Sequence, residues 1–390
     1  MTAFLKTKRA AAAVLSLCLV GIPAMSPIAK AETAHGSYQA VTDQAVTAAK
    51  AFLATLDNTQ RKAAVFAIDD EQQRQRWSNL PTSMVHRNGL RLGDLKPEQL
   101  AAAQKLLKAL LSPSGYEKVV GIMNGDEVLK REEGSGGPGR RGGPGGPGGP
   151  PPGGPGGPQN GPPPGGRGTG PGGAGGLTFG KDEYYISFVG APSSTDPWML
   201  QWGGHHLALN ITVDGPHGVL TPTHTATQPA KYTWEGKTVR PLGAEYDKAI
   251  AFISTLNEEQ RKKAIIGSQM ADLVLGPGHD GQTIQPEGLK AAEMTETQQA
   301  AVLDLAHEWV GILNDVGATA KMAELKANIR ETWFAWSGPT TPGSAFYYRI
   351  QGPTVVIEFS PQRLGGDPVN HIHTMFRDPS NDYGKKWWKK

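Results

Sequence analysis

Four of the ten histidines in this chain fall into two tight groups. His205 and His206 follow Gly203-Gly204 and lead into Leu207-Ala208-Leu209-Asn210, while His371 and His373 flank Ile372. In an extended strand, residues two apart share a face, so His371 and His373 project together and Ile372 points into the core. By the same rule His206 and Asn210 share one face, and His205 lies opposite with Leu207 and Leu209. Two imidazoles on one strand face offer two neutral nitrogen donors to a single ion, a set that suits Zn, Cu, Ni or Fe. His206 or His205 supplies a third donor if the two groups meet, and Glu358, Asp367, Asp378 or Asp382 a carboxylate. The expected site is therefore a divalent transition-metal centre, zinc or copper first, built from His205, His206, His371 and His373. A metal-free histidine-lined pocket and purely structural histidines are the competing readings. His217 and His224 sit in a Pro/Gly-rich stretch that reads as loop, with no fixed placement.

Around such a centre, Glu358 and Asp378 are the first candidates for a general base. Arg377 is the candidate for holding a substrate anion or a transition-state charge. Asp378 is equally suited to orient a ring N–H or to cap the Asp378-Pro379 turn. The chemistry is either hydrolysis by metal-activated water or oxidation with copper or iron, and these residues do not choose between them. The substrate, a small molecule or a polymer, is open. No Gly-x-Ser-x-Gly elbow, phosphate-cradling Gly-x-x-x-x-Gly-Lys loop or His-Glu-x-x-His helix occurs. Two non-catalytic alternatives stand beside the enzyme: an envelope or periplasmic ligand-binding protein with a histidine-lined cleft, and a structural envelope protein.

The elements that must position these residues repeat. Ala51-Phe52-Leu53-Ala54-Thr55-Leu56 with Gln60-Arg61-Lys62 returns as Ala251-Phe252-Ile253-Ser254-Thr255-Leu256 with Gln260-Arg261-Lys262. Gly89-Leu90 matches Gly288-Leu289, and Tyr184-Tyr185-Ile186 echoes Tyr347-Tyr348-Arg349-Ile350. Apolar spacing predicts helices over 45–68, 97–111, 243–266 and 295–313. Short β-branched and aromatic runs bounded by Gly and Pro predict strands over 184–189, 198–202, 206–213, 346–350 and 354–359. The fold class is thus α+β and internally duplicated, each half being helices followed by antiparallel strands. The halves are 32–133 plus 177–235, and 236–384. Between the parts of the first lies 134–176, almost wholly Gly and Pro, with too little apolar surface to offset its ordering entropy; it is expected to be disordered.

The N-terminus has the parts of a secretory signal peptide over 1–31. Lys6, Lys8 and Arg9 precede an apolar run over 10–22, and Ala29-Lys30-Ala31 offers a cleavage site. Export to the periplasm or beyond is the expectation. Cleavage would remove Cys18, the single cysteine, and with it any disulfide or thiolate ligand. It also takes four basic residues and no acidic one from 39 basic against 36 acidic, leaving 35 against 36. The mature chain then has no general basic footprint for nucleic acid, and no later apolar run is long enough to span a membrane. The tail 385–390, four lysines around Trp387-Trp388, is a candidate for weak contact with an anionic envelope surface or a frayed end.

Several of these segments together resemble the domain-of-unknown-function family 3500. They are 205–210, Arg240-Pro241-Leu242-Gly243-Ala244-Glu245, Phe334-Ala335-Trp336-Ser337-Gly338, and the run from Tyr347 through Glu358-Phe359 to His371, His373 and Arg377-Asp378. The resemblance covers nearly the whole mature chain except the Gly/Pro insertion and the last residues. It implies the paired histidines as a shared feature and no assigned activity. Two loops depart from the family pattern, 226–229 and 360–366.

Overall fold

The computed structural model describes residues 27–134 and 177–388. The leader over 1–26 with Cys18, the Gly/Pro insertion over 135–176 and the last two lysines lie outside the described residues. The first part runs α1 (Pro27–Ala54), α2 (Asn58–Ala64), β1 (Val65–Phe66), α3 (Glu71–Arg74), β2 (Leu90–Arg91), α4 (Pro97–Leu110) and α5 (Pro113–Gly134). Strands β3 (Tyr185–Val189), β4 (Trp198–Gly203), β5 (Leu207–Asp214) and β6 (His217–Thr227) follow, with a separate hairpin β7 (Tyr232–Trp234) and β8 (Lys237–Val239). The second part runs α6 (Gly243–Thr255), α7 (Glu258–Ala264), β9 (Ile265–Gly267), β10 (Leu289–Lys290), α8 (Glu296–Val310) and α9 (Asp315–Ala327). It closes with β11 (Trp333–Ser337), β12 (Tyr347–Gly352), β13 (Val355–Pro361) and β14 (Ile372–Arg377).

Helices and strands are mixed as an α+β fold around one large sheet. Twelve strands join it in the order β1-β3-β4-β5-β6-β14-β13-β12-β11-β10, with β2 added on β3 and β9 on β11. Not every pairing is antiparallel: β1 on β3 and β9 on β11 are parallel. Two of the long helices expected from periodicity are cut by caps. Asp57 accepts from the Gln60 N–H while the Gln60 side chain returns to the Asp57 N–H, and Asn257 with Gln260 builds the same box. Gln99 and Gln298 then tie those boxes to the carbonyls of Thr55 and Thr255. Gly89 and Gly288 both hold positive φ, at 106° and 96°. A Cβ there would stand 2.5 Å from the Ile186 carbonyl oxygen and 2.2 Å from that of Phe334, so only glycine fits either approach.

Pairing places β11, not β12, where β3 stands in the first part. Each carries one short parallel and one short antiparallel strand. The echoing segments 184–186 and 347–350 thus lie on strands that pair differently, and a further aromatic pair, Trp333-Phe334, lies on β11. The longest strand, β6, runs through the stretch read as loop. Pro222 sits where the β5–β6 ladder shifts register between Leu209 and Ile211, a place where a missing N–H breaks no ladder bond.

The two parts meet at the β6–β14 pair. Thr225 faces Thr374 across it, their hydroxyl oxygens 2.7 Å apart. One sheet face packs on the helices through two apolar cores: Phe52, Leu106, Leu107, Leu209 and Ile211 in one, Phe252, Trp309, Trp336, Ile372 and Phe376 in the other. The opposite face is covered by loops, where Trp77, Tyr383, Met199, Ala208 and Met375 form a smaller core. Glu308 joins Lys118 and Lys248, and Lys118 also bridges to the buried Glu245, tying α5 to α6 and α8. No helix among the described residues is long and apolar enough to cross a membrane.

Candidate metal centre

The four grouped histidines come together where β5, β6 and β14 end. His371 precedes β14 with extended backbone (φ −135°, ψ 110°), so it shares a face with His373. Their rings lie 4.7 Å apart at 75°, with the two Nε2 atoms 2.9 Å apart. His205 and His206 precede β5 inside a turn closed by the Gly204 N–H donating to the Leu207 carbonyl. Strand alternation begins only at Leu207, so the two rings do not oppose one another. They stack, centroids 3.7 Å apart at 27°. The His206 Nε2 reaches 3.3 Å from the His371 Nε2, and the donor atoms of His206, His371 and His373 all lie within 4.8 Å of one another.

What holds each ring decides which nitrogen carries its proton. The His371 Nδ1 lies 2.6 Å from the Leu364 carbonyl, an acceptor only, so Nδ1 is the donor. The His206 Nδ1 lies 2.5 Å from Asp126 Oδ1, and the other oxygen of that carboxylate accepts from the Tyr184 hydroxyl at 2.7 Å. In the neutral rings both Nε2 atoms are therefore bare lone pairs, aimed at each other with no hydrogen between them. The third ring is adjustable: the Asn79 amide nitrogen lies 3.2 Å from the His373 Nδ1. With that amide turned, its oxygen accepts from Nδ1–H and frees the His373 Nε2.

Burial keeps the rings neutral. It pushes His205, His206 and His373 well below the ordinary imidazole value and lowers His371 as well. It pushes the Asp126 carboxyl up to about 6, while His205 and the Tyr184 hydroxyl pull against it. Near neutral pH the carboxylate is charged and the imidazoles are not, which is the state in which a metal accepts nitrogen ligands. Three nitrogens about 2.0–2.1 Å from one ion stand about 2.9 Å apart at right angles and about 3.3 Å apart at tetrahedral angles. The two spacings seen here are those of ligand edges.

The remaining expected residues stand in other networks. Glu358 accepts from the Val274 and Leu275 N–H groups and the Tyr347 hydroxyl, pinning a loop to the sheet. Arg377 donates to the Leu275 and Gly276 carbonyls and pairs with Asp280 and Asp382. Asp378 caps its turn through Ser380 and Asn381 and pairs with Lys321. None of the three is hydrogen-bonded to a ring of the four histidines. The His205 Nδ1, 3.8 Å from Asp126 Oδ1, is buried without a hydrogen-bond partner, and it belongs with Asp126 and His206 to a second close donor group.

Sequence reasoning missed Asp126, Tyr184, Asn79 and His224. Asp126 carried a signal: on α5 it shares one buried stripe with Val119, Ile122 and Leu129, and an acid on an apolar stripe needs a partner. His224 is fully buried on β6 rather than in a loop, its Nδ1 2.9 Å from the Thr374 carbonyl and its ring 5.1 Å from that of His373.

A family model described as a protein of unknown function (DUF3500) matches residues 38–385, nearly the whole chain, and the chain belongs to that family. No curated protein matches it, and no solved structure does.

Proposed function

For this member of the DUF3500 family, we propose a metalloprotein whose His206, His371 and His373 Nε2 atoms hold one first-row transition ion, zinc or copper. One observation carries the reading. Two buried lone pairs, each fixed by a donating Nδ1, point at one another 3.3 Å apart with a third ring nitrogen 2.9 Å from one of them. With the site empty, the His373 Nε2–H can satisfy only one of them, and the other costs about 1–3 kcal/mol as an unsatisfied buried acceptor; a cation turns that cost into binding. Asp126, the Leu364 carbonyl and Asn79 orient the three rings, as outer partners do in histidine metal sites. Three neutral imidazoles leave the ion its full charge and a fourth position for water or a molecule of similarly small size, the arrangement of a catalytic rather than a closed structural site.

Within this reading the protein is a metal-dependent enzyme, hydrolytic through bound water or oxidative with copper. Glu358, Arg377 and Asp378 then belong to the scaffold, since their partners are loops and ion pairs. The binding-cleft alternative is weaker, because His206 is 0% and His373 4% exposed; these rings are not a cleft wall. The remaining sequence expectations belong to the same proposal: an exported chain with a cleaved leader, and a duplicated scaffold. Matching caps, tethers and glycines in the two parts support the duplication.

The test is elemental analysis of untagged protein beside the His371→Ala/His373→Ala double variant. About one zinc or copper per chain is expected in the wild type and background in the variant. Equal metal in the two would end the proposal.

A further inference from the structure

One chain of redox-capable side chains leaves the proposed centre and ends at a surface cavity. The His373 ring lies 5.1 Å from that of His224, and His224 lies 6.4 Å from Trp77 at 26°. The Trp77 Nε1 donates to the Tyr383 hydroxyl at 2.7 Å, and that hydroxyl donates to Asp280 Oδ1 at 2.6 Å. Trp77 and Tyr383 are buried, at 9% and 8% exposure. The Tyr383 side also borders a cavity of about 780 Å³, lined with it by Asp280, Asp382, Arg74 and Trp388. Tyr383 is held at positive φ, 60°, in the turn that presents it to Trp77.

The geometry points to a path that carries oxidising equivalents from a copper ion at His206, His371 and His373, through His224 and Trp77, to Tyr383. It rests on the metal centre proposed above and takes its oxidative branch. The oxidant is a peroxide. Its O–O bond breaks on receiving two electrons, one from Cu(I), which becomes Cu(II), and one from the Tyr383 phenol. The phenol proton passes to Asp280, two protons come from solvent, and the products are Cu(II), a neutral tyrosyl radical, protonated Asp280 and two waters. Asp280 makes this feasible, because losing an electron without losing the proton would leave a cation in a buried site. Arg377, whose guanidinium carbon lies 5.7 Å from the Trp77 ring centre, disfavours a positive charge on the indole. The radical therefore rests on Tyr383, at the cavity, and not on Trp77.

The experiment is rapid-freeze electron paramagnetic resonance of full-length protein loaded with Cu(I) and mixed with hydrogen peroxide. Wild type should show Cu(II) together with a tyrosyl signal. Tyr383→Phe should keep the Cu(II) signal and lose the tyrosyl signal; Trp77→Phe should keep Cu(II) and form the radical at least tenfold more slowly. Circular dichroism checks that both variants fold. A Cu(II) signal in wild type without any tyrosyl signal overturns the path while leaving the centre in place, as does an equal radical in Tyr383→Phe. Failure of the wild type to bind copper overturns the path because it removes its origin, and zinc content then decides whether the centre itself stands.

Discussion

The two strands at the middle of the sheet carry a histidine at the same step, one residue before the facing threonines: His224 before Thr225 on β6, and His373 before Thr374 on β14. Both rings are buried on the loop-covered face, yet their surroundings differ. Two residues before His373 stands His371, and His206 arrives from the turn before β5 with Asp126 behind it. Two residues before His224 stands Pro222, and the ring packs on Trp77 with its Nε2 unpartnered. A scaffold that presents imidazole twice has gathered donors once. What makes a centre is the set of neighbours that fix each ring's proton, not the strand position.

The comparison breaks most sharply by exchanging the deletions. His206→Ala should abolish metal binding, because two imidazoles remain and the Asp126 carboxylate is left buried without its ring. His224→Ala should keep about one ion per chain. Elemental analysis and competition with a chelator read both; loss of the ion in His224→Ala would make His224 a ligand and erase the distinction. Next in size, Asp126→Asn should weaken the ion's affinity by about 10–100-fold, the range for outer partners of metal-bound histidine. An unchanged affinity would show that the carboxylate is not what orients His206.

The donors were more legible than their supports. His371-Ile372-His373 advertises its geometry because strand period acts over two residues, and Ile372 does lie in the helix-side core. His205-His206 did not obey that rule, since Gly203-Gly204 makes a turn whose course no two-residue period describes. Asp126 lies 80 residues from His206 in sequence; only packing of α5 on the sheet brings it there, although its place on an apolar stripe marked it as needing a partner. His224 was hidden by Pro222 and Gly218, which read as loop until the register shift in β5–β6 gives the proline a site without a ladder bond. Local patterning showed α1, α2, α4, α6, α7 and α8 as four helical stretches and β3, β4, β5, β12 and β13 as strands, but not α5, α9, β6 or β11. That β6 and β14 would join the two parts into one sheet was not, because seam pairing depends on residues some 150 apart.

Acid separates the two positions by a smaller amount. Burial holds His224 down at about 3, with the His206 ring adding to the effect. Its folded value lies below the unfolded imidazole value, about 6.5, so above that pH neither state is protonated and nothing is lost. As pH falls below about 6.5 the unfolded chain takes a proton that the folded chain refuses, and stability declines. At pH 5 this one residue costs about 2 kcal/mol. In metal-free protein, His224→Gln should therefore lose about 2 kcal/mol less than wild type between pH 7.5 and pH 5, by urea unfolding at each pH. Equal losses would mean the ring is solvated on the unfolding timescale and not the dry counterpart described here.

The smallest effect lies at the seam itself. Thr225 and Thr374 look interchangeable, but the Thr374 hydroxyl also accepts from the Trp309 indole N–H at 2.9 Å. Thr225→Val removes one partner of a hydroxyl that keeps another, a change of about 1 kcal/mol. Thr374→Val strands both the buried indole and the facing hydroxyl, so about 2 kcal/mol is expected, by urea unfolding at pH 7.5. The order of the two values matters more than their size. If Thr225→Val costs as much as Thr374→Val, the indole contributes nothing, and the seam is as symmetric in energy as it is in register. If Thr374 costs more, the asymmetry that gathers the metal donors on the β14 side extends to the hydroxyl beside His373, and α8 helps to hold that strand where the centre needs it.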